Sequence, residues 1–308
     1  MPVIADRVSV SIDRILLATD FSSASNKAAA YAKALALHFS STVDVVHVFD
    51  PSVVSSCVET VVGFPAKERR RIQDKELENV RKEFEAAGLT ACAVSGEGHR
   101  PWAALLEVSQ QLDTDLIVAG THSKWGIERL MLGSTAEELI RNAACPVLTV
   151  GPNAKEPGPG PLAFRSIVYA TDFSPEAATA AAYALSFAQD SGAHLYLCYV
   201  LGPRIASQPC EFLDAPFKAA LKRLIPESSY DWCSPEAVVE HGDAGPAILN
   251  LAEKVSADLI VLGARNASFW LTHIEHGLTP DLLAEACCPV MTVCEVGKPD
   301  RRTDRLHR

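Results

Sequence analysis

RILLATDFSSASNKAAAYAKALA, residues 14–36, and SIVYATDFSPEAATAAAYALSFA, residues 166–188, decide the fold between them. Each opens with a short apolar run that reads as a strand. Each then passes through Ala-Thr-Asp-Phe-Ser into an alanine-rich stretch that reads as a helix. Ser22 and Ser174 stand where an N-cap hydroxyl meets the first free amides, and Pro175 suits the first helical position. Asp20 and Asp172 are therefore equivalents. Second apolar strands follow, VDVVHVFD from Val43 and HLYLCYVL from His194. The halves agree again near their ends: DLIVAG at 115–120 parallels DLIVLG at 258–263, and CPVLTV at 145–150 parallels CPVMTV at 288–293. Shared residues in shared order at both ends of each half mean that a whole domain has been duplicated, not a short solenoid unit.

Between the copies lies GPNAKEPGPGP, residues 151–161, whose proline and glycine cannot continue a helix or a central strand. The predicted division is a first domain over 1–151, a linker over 152–163, a second domain over 164–298 and a basic tail over 299–308. In the first copy, helices are expected over Ser23 to Phe39, Ala66 to Ala87, Pro101 to Gln111 and Ser134 to Asn142, with Gly88 as a C-terminal cap. Continuously apolar strands separated by helices imply a parallel sheet covered on both faces. The fold class is α/β: two tandem doubly wound domains, each with five parallel strands.

Composition narrows the function classes. The chain has 308 residues, 48% hydrophobic and 21% charged, which suits globular domains with full cores. No apolar run approaches the roughly 20 residues that span a bilayer, and Met1 to Val10 does not read as a secretory signal. A net charge of −10 argues against general nucleic-acid binding. Arg69-Arg70-Arg71 is expected on a solvated helix face. The nine cysteines, several inside strand-like runs, read as reduced thiols of a cytoplasmic protein. His273 and His276 with Cys287 and Cys288 lack the paired spacing of a zinc site, so no metal is assigned to them.

In doubly wound sheets, ligands bind beyond the carboxyl ends of the strands, where strand order reverses. Asp20 follows the first strand and Gly120 the fourth. From Gly120 the chain reads GTHSKWGIERLMLGSTA to Ala136. Gly120, lacking a Cβ, allows a sharp turn and close approach to a ligand. Gly133, Ser134 and Thr135 open the next helix, where free N–H groups and two hydroxyls suit an anion. A glycine loop with a helix start fits phosphate, and a carboxylate after the first strand fits a ribose hydroxyl. No Gly-x-Ser-x-Gly elbow and no Gly-x-x-x-x-Gly-Lys-Ser/Thr loop occurs.

At these residues both halves resemble universal stress protein domains. In the ATP-binding form of that family, the pattern is Gly, two residues, Gly, nine residues, then Gly followed by Ser or Thr. Gly120, Ser123, Gly133 and Ser134 stand at those places, with Ser123 in place of the middle glycine. The resemblance further implies contacts from Asp20 and from the backbone of Val48 after the second strand. It also implies that the domains pair through their last strands, Pro146 to Val150 with Pro289 to Val293, as a pseudo-dimer within one chain. Two chains could then form a homodimer. In the second half Asn266 replaces the middle glycine, His276 the third, and Gly277 comes one place late before Leu278. Asp172, Val200 and Gly263 would make at most a weak second site.

The leading expectation is a stress-response regulator and interaction module. Its first domain binds ATP or a related adenine nucleotide, with magnesium able to accompany it, and its second domain is chiefly structural. The nucleotide would favour one domain arrangement that a protein partner reads. No nucleophile–base pair is present, so no catalytic residue is assigned and any ATP hydrolysis would be slow. An alternative is a family member that acts through protein contacts alone. A third, an ATP-using enzyme, would need an acceptor pocket in the middle segments 51–65 or 202–226.

Overall fold

The strand order reverses once in each half, and that reversal positions everything below. A computed structural model of the protein describes residues 9–51, 66–121, 133–202, 211–264 and 280–294. In the first half, β1 (Arg14–Ala18) leads to α1 (Ser23–Phe39), β2 (Thr42–Phe49), α2 (Ala66–Ala86) and β3 (Ala91–Glu97). Then follow α3 (Pro101–Gln111), β4 (Leu116–Gly120), α4 (Ser134–Asn142) and β5 (Val147–Val150). The second half repeats this with β6 (Ser166–Ala170), α5 (Pro175–Ser191), β7 (His194–Leu201), α6 (Glu211–Lys222) and β8 (Ser234–His241). It ends with α7 (Ala244–Lys254), β9 (Leu259–Ala264), α8 (Pro280–Glu285) and β10 (Val290–Cys294).

The ten strands of the described residues form one sheet in the order β3-β2-β1-β4-β5-β10-β9-β6-β7-β8. Within each half every pairing is parallel, as expected of strands joined by helical crossovers. Among the described strands only β5 and β10 run antiparallel, so the last strands of the two domains join them edge to edge. Side chains alternate between the sheet's faces. Ile15 and Leu17 enter one core with Tyr31 and Leu35 of α1, whereas Leu16 and Ala18 enter the other with Leu139 and Ile140 of α4. Helices α1, α2, α5 and α6 cover the first face, and α3, α4, α7 and α8 the second. Both cores run across the junction, through Leu148 and Met291 on one face and Val147 and Val290 on the other. Burying each such aliphatic side chain stabilises the fold by about 1.5–3 kcal/mol.

Local chemistry sets the element ends. Ser22 Oγ accepts from Ser25 N–H at 3.2 Å, and Ser174 Oγ from Ala177 N–H at 3.3 Å, so both expected caps form. Gly88 closes α2 at φ +84°, donating to Glu85 O while Leu89 N–H reaches Phe84 O. Before β4, Asp115 Oδ2 accepts the amides of Asp13 and Arg14, each at 3.0 Å. Asp258 repeats the tie on Arg165 and Ser166 before β9. The acidic residue that opens DLIV in each copy thus fixes the start of the neighbouring strand.

The arginine run at 69–71 is less solvated than expected. Arg69 lies over the Phe49 ring at 5.8 Å and Arg70 pairs with Glu97, leaving Arg71 exposed. Among the described residues no helix is long and apolar enough to cross a membrane.

Candidate functional site

At the carboxyl edge of the first half, β1 and β4 lie side by side, with Ala18 paired to Ala119. Asp20 and Gly120 leave the sheet from these neighbouring strands, at the reversal point. The turn after β1 is held from within. Thr19 N–H donates to Val46 O, Thr19 Oγ1 accepts from Phe21 N–H at 3.1 Å, and Asp20 Oδ1 accepts from Ser22 N–H at 3.0 Å. These bonds hold Phe21 in the left-handed region at φ +60°. One oxygen of Asp20 thereby serves the turn, and among the described residues no hydrogen bond engages the other oxygen of this half-buried carboxylate. β2 continues through His47, Val48 and Phe49 past its last partner on β1, which places Val48 beside this turn. His47, buried, has Nδ1 2.8 Å from Thr19 O and its ring 4.6 Å from Phe21.

Gly120 is glycine for a reason that the sequence does not show. A Cβ there would lie 2.8 Å from the carbonyl carbon of Ala24 and 2.9 Å from its oxygen. The first turn of α1 occupies that space, so the close approach is helix on strand. Gly133 has a similar constraint. Its N–H donates to Thr121 O at 2.6 Å, and a Cβ would stand 3.0 Å from the same oxygen. Thr121, fully buried, also takes its amide to Val150 O. Thr121 and Gly133 are thus clasped together, and the clasp delivers the start of α4 to the carboxyl end of β4.

Gly133 is the N-cap of α4 and supplies no side-chain acceptor. The first amide of that helix with an internal partner is Glu137 N–H, on Gly133 O. The amides of Ser134, Thr135 and Ala136 therefore point out of the helix start, beside an exposed Ser134 and a half-buried Thr135. Donors of this kind, with the helix dipole behind them, favour an anion. Asp20, Val48, Gly120, Gly133, Ser134 and Thr135 are all at one edge of one domain. Ser123 lies outside the described residues.

The second half repeats the turn with different rings beside it. Asp172 Oδ1 accepts from Ser174 N–H at 2.9 Å, Thr171 Oγ1 accepts from Phe173 N–H at 2.9 Å, and Phe173 sits at φ +60°. At the place of His47 stands Tyr199, 5.0 Å from Phe173 and stacked at 4.6 Å on Phe217 of α6. Burial raises the Tyr199 hydroxyl above its usual pKa. This aromatic stack borders Val200 and the exposed Asp172, and the sequence reading did not detect it. Its signal was present, since a histidine in one copy aligns with a tyrosine in the other. Gly263 lies within β9, whereas Asn266, His273, His276, Gly277 and Leu278 lie outside the described residues.

The junction bears on the first site through α1. Lys27 Nζ donates to Pro152 O and Ala154 O at 2.5 and 2.9 Å, and Tyr31 Oη donates to Lys155 O at 2.6 Å. The segment that composition marks as a linker is therefore seated on the helix whose first turn packs against Gly120. Burial and nearby acidic groups push the Tyr31 hydroxyl well above its usual pKa, so it stays a donor.

Comparison with known proteins agrees with this architecture. The model of the Universal stress protein family matches residues 11–151 and again 163–293. The universal stress protein MJ0531 of Methanocaldococcus jannaschii is 36% identical over 151 residues, covering 46% of this chain and 84% of that protein. A universal stress protein of Thermus aquaticus is 36% identical over 143 residues, covering 44% of this chain and 96% of its own. Among solved structures, a universal stress protein from Archaeoglobus fulgidus superposes with a TM-score of 0.68 at 20% identity, covering 93% of this chain and all of that one. PA1789 from Pseudomonas aeruginosa gives 0.57 at 16% identity, with 92% of each chain covered. At those identities the structural likeness concerns the fold alone. The two family matches carry the assignment: this chain belongs to the universal stress protein family and holds two of its domains in tandem.

Proposed function

We propose that the first domain binds ATP or a related adenine nucleotide and that the protein works as a nucleotide-dependent regulator rather than an enzyme. One observation carries this reading. The Thr121–Gly133 clasp presents the open amides of α4 at the same sheet edge as the Asp20 carboxylate, whose second oxygen has no hydrogen bond among the described residues. The amides suit phosphate, and the carboxylate suits paired ribose hydroxyls. Asp20, Val48, Gly120, Ser123, Gly133, Ser134 and Thr135 would hold the nucleotide. Magnesium would enter with the phosphates. The seat of the linker on α1 supplies a path by which an occupied site could bias the domain junction, for a protein partner to read.

The test is titration calorimetry with ATP on protein freed of co-purified nucleotide. Asp20→Asn keeps the acceptor for Ser22 N–H and removes the charge. It should weaken binding tenfold or more, since a hydrogen bond to a charged group contributes about 1.5–3 kcal/mol. Gly133→Ala should weaken it as well, by forcing Thr121 O away and displacing the helix start. Gly120→Ala is not a clean probe, because its Cβ would strike the backbone of α1. No binding by the wild type, or equal binding by all variants, would refute the proposal.

A further inference from the structure

The two copies make the same turn after their first strand and differ beneath it. Thr19 N–H and Thr171 N–H donate to Val46 O and Cys198 O. The bonds from Phe21 and Phe173 to the threonine hydroxyls, and from Ser22 and Ser174 to the aspartates, match one for one. Both phenylalanines stand at φ +60°, where an L-residue stays only if its surroundings hold it. The second strand supplies the ring behind each: His47 at 4.6 Å from Phe21, and Tyr199 at 5.0 Å from Phe173. His47 alone of these two carries a ring nitrogen, and its Nδ1 is 2.8 Å from Thr19 O. Ser25 adds hydroxyl bonds to Thr19 and Ser22 where the second copy has Ala177, but neither reaches that carbonyl.

Thr19 O belongs to the peptide that joins Thr19 to Asp20. A bond to it fixes the plane of that peptide, and with it the direction in which the Asp20 side chain leaves the chain. A carbonyl oxygen only accepts, so the neutral ring carries its proton on Nδ1. Nε2 has no hydrogen-bond partner among the described residues, although His47 is only 7% exposed. The grip therefore runs through one nitrogen. In keeping with it, Asp20 is half-buried, whereas Asp172 in the copy without the bond is exposed.

We infer that His47 is the positioning residue of the first domain's site: through Nδ1–H and Thr19 O it aims the Asp20 carboxylate at the ligand. It touches the turn and acts through Asp20. This role rests on the nucleotide reading above and adds to it a reason why only one copy is competent. Tyr199, which keeps the ring and lacks the donor, supports the same turn without fixing that peptide.

The test compares His47→Asn, His47→Gln and His47→Phe with the wild type in the full chain. Asparagine carries an amide nitrogen at the place of Nδ1, and glutamine carries one at the place of Nε2. By calorimetry, glutamine and phenylalanine should weaken ATP binding about tenfold, the loss expected when a contact to a charged group is misaligned, and asparagine should restore most of it. Urea midpoints should not follow that order, since all three variants lose the buried imidazole. Without ligand, exchange of the Ser22 amide should quicken in the glutamine and phenylalanine variants and not in the asparagine variant. The Ser174 amide is the control within each molecule. Nitrogen-15 spectra of the neutral wild-type ring should place the proton on Nδ1. Equal ATP affinity in all three variants, affinities that merely follow the urea midpoints, or a proton on Nε2 would overturn the role of His47 and leave the nucleotide reading standing. Absence of ATP binding by the wild type would refute the nucleotide reading itself, and Ser22 exchange would then decide whether His47 holds the turn.

Discussion

At the scale of the residue, the duplication is an internal control. Ser40 and Gly192 are equivalents that end α1 and α5 in the same left-handed conformation, at φ +59° and +62°. The next residue donates to the helix in the same way in both, from Ser41 to Ala36 and from Ala193 to Ala188. An L-residue adopts this conformation at a cost of roughly 1–2 kcal/mol, partly offset because glycine loses more backbone entropy on folding. Ser40→Gly should therefore raise stability by up to about 1 kcal/mol, read as a higher urea midpoint with an unchanged slope. Other residue-level facts were less legible in the sequence. Gly120 reads as a turn or a ligand contact, but it is required by Ala24, seated far away in the chain and close in space. Asp20 reads as a ligand or a helix-dipole charge, and the structure also gives it a turn to hold.

At the scale of the element, the strand and helix pattern was legible almost throughout, because continuously apolar strands and capped alanine-rich helices carry local signals. Side-chain burial inside strands was less so. Asp44 interrupts β2 between Val43 and Val45, and its buried carboxylate is met by Arg14 at 2.9 Å. Burial raises its pKa above the ordinary carboxylate value, and the nearby Arg14 only partly opposes that. An acid whose pKa is raised by folding contributes stability at low pH, and that contribution is lost as pH rises through the native pKa. Asp44→Asn, neutral at every pH, should accordingly gain on the wild type as pH rises from the acid range to neutrality. Denaturant unfolding at a series of pH values checks the sign. The aromatic stack of Phe173, Tyr199 and Phe217 was hidden for a different reason: α6 brings Phe217 to it from a segment with no counterpart motif.

At the scale of the whole molecule, the proline- and glycine-rich stretch marks a boundary in sequence, yet in space it is bound to α1 and to α8. Besides the bonds from Lys27 and Tyr31, Asn153 donates to Glu285 O at 3.2 Å. Composition reports what a segment cannot form, not where it docks. The antiparallel step between β5 and β10 joins the cores, with Thr149 Oγ1 on Val290 O and Thr292 Oγ1 on Val147 O. Met291 is opposite Leu148 there and is 1% exposed. Met291→Lys would bury an unpaired charge at the joint. The wild type should unfold in one transition by circular dichroism, and the variant in two, as the halves uncouple.

The proposed nucleotide site belongs to only one of the two duplicated domains. The most direct measurement is the stoichiometry of ATP binding by calorimetry on the full chain, with Asp20→Asn and Asp172→Asn in parallel. The expected result is one nucleotide per chain, weakened by Asp20→Asn and untouched by Asp172→Asn. Two equivalent sites, or binding that depends on Asp172 and not on Asp20, would contradict it.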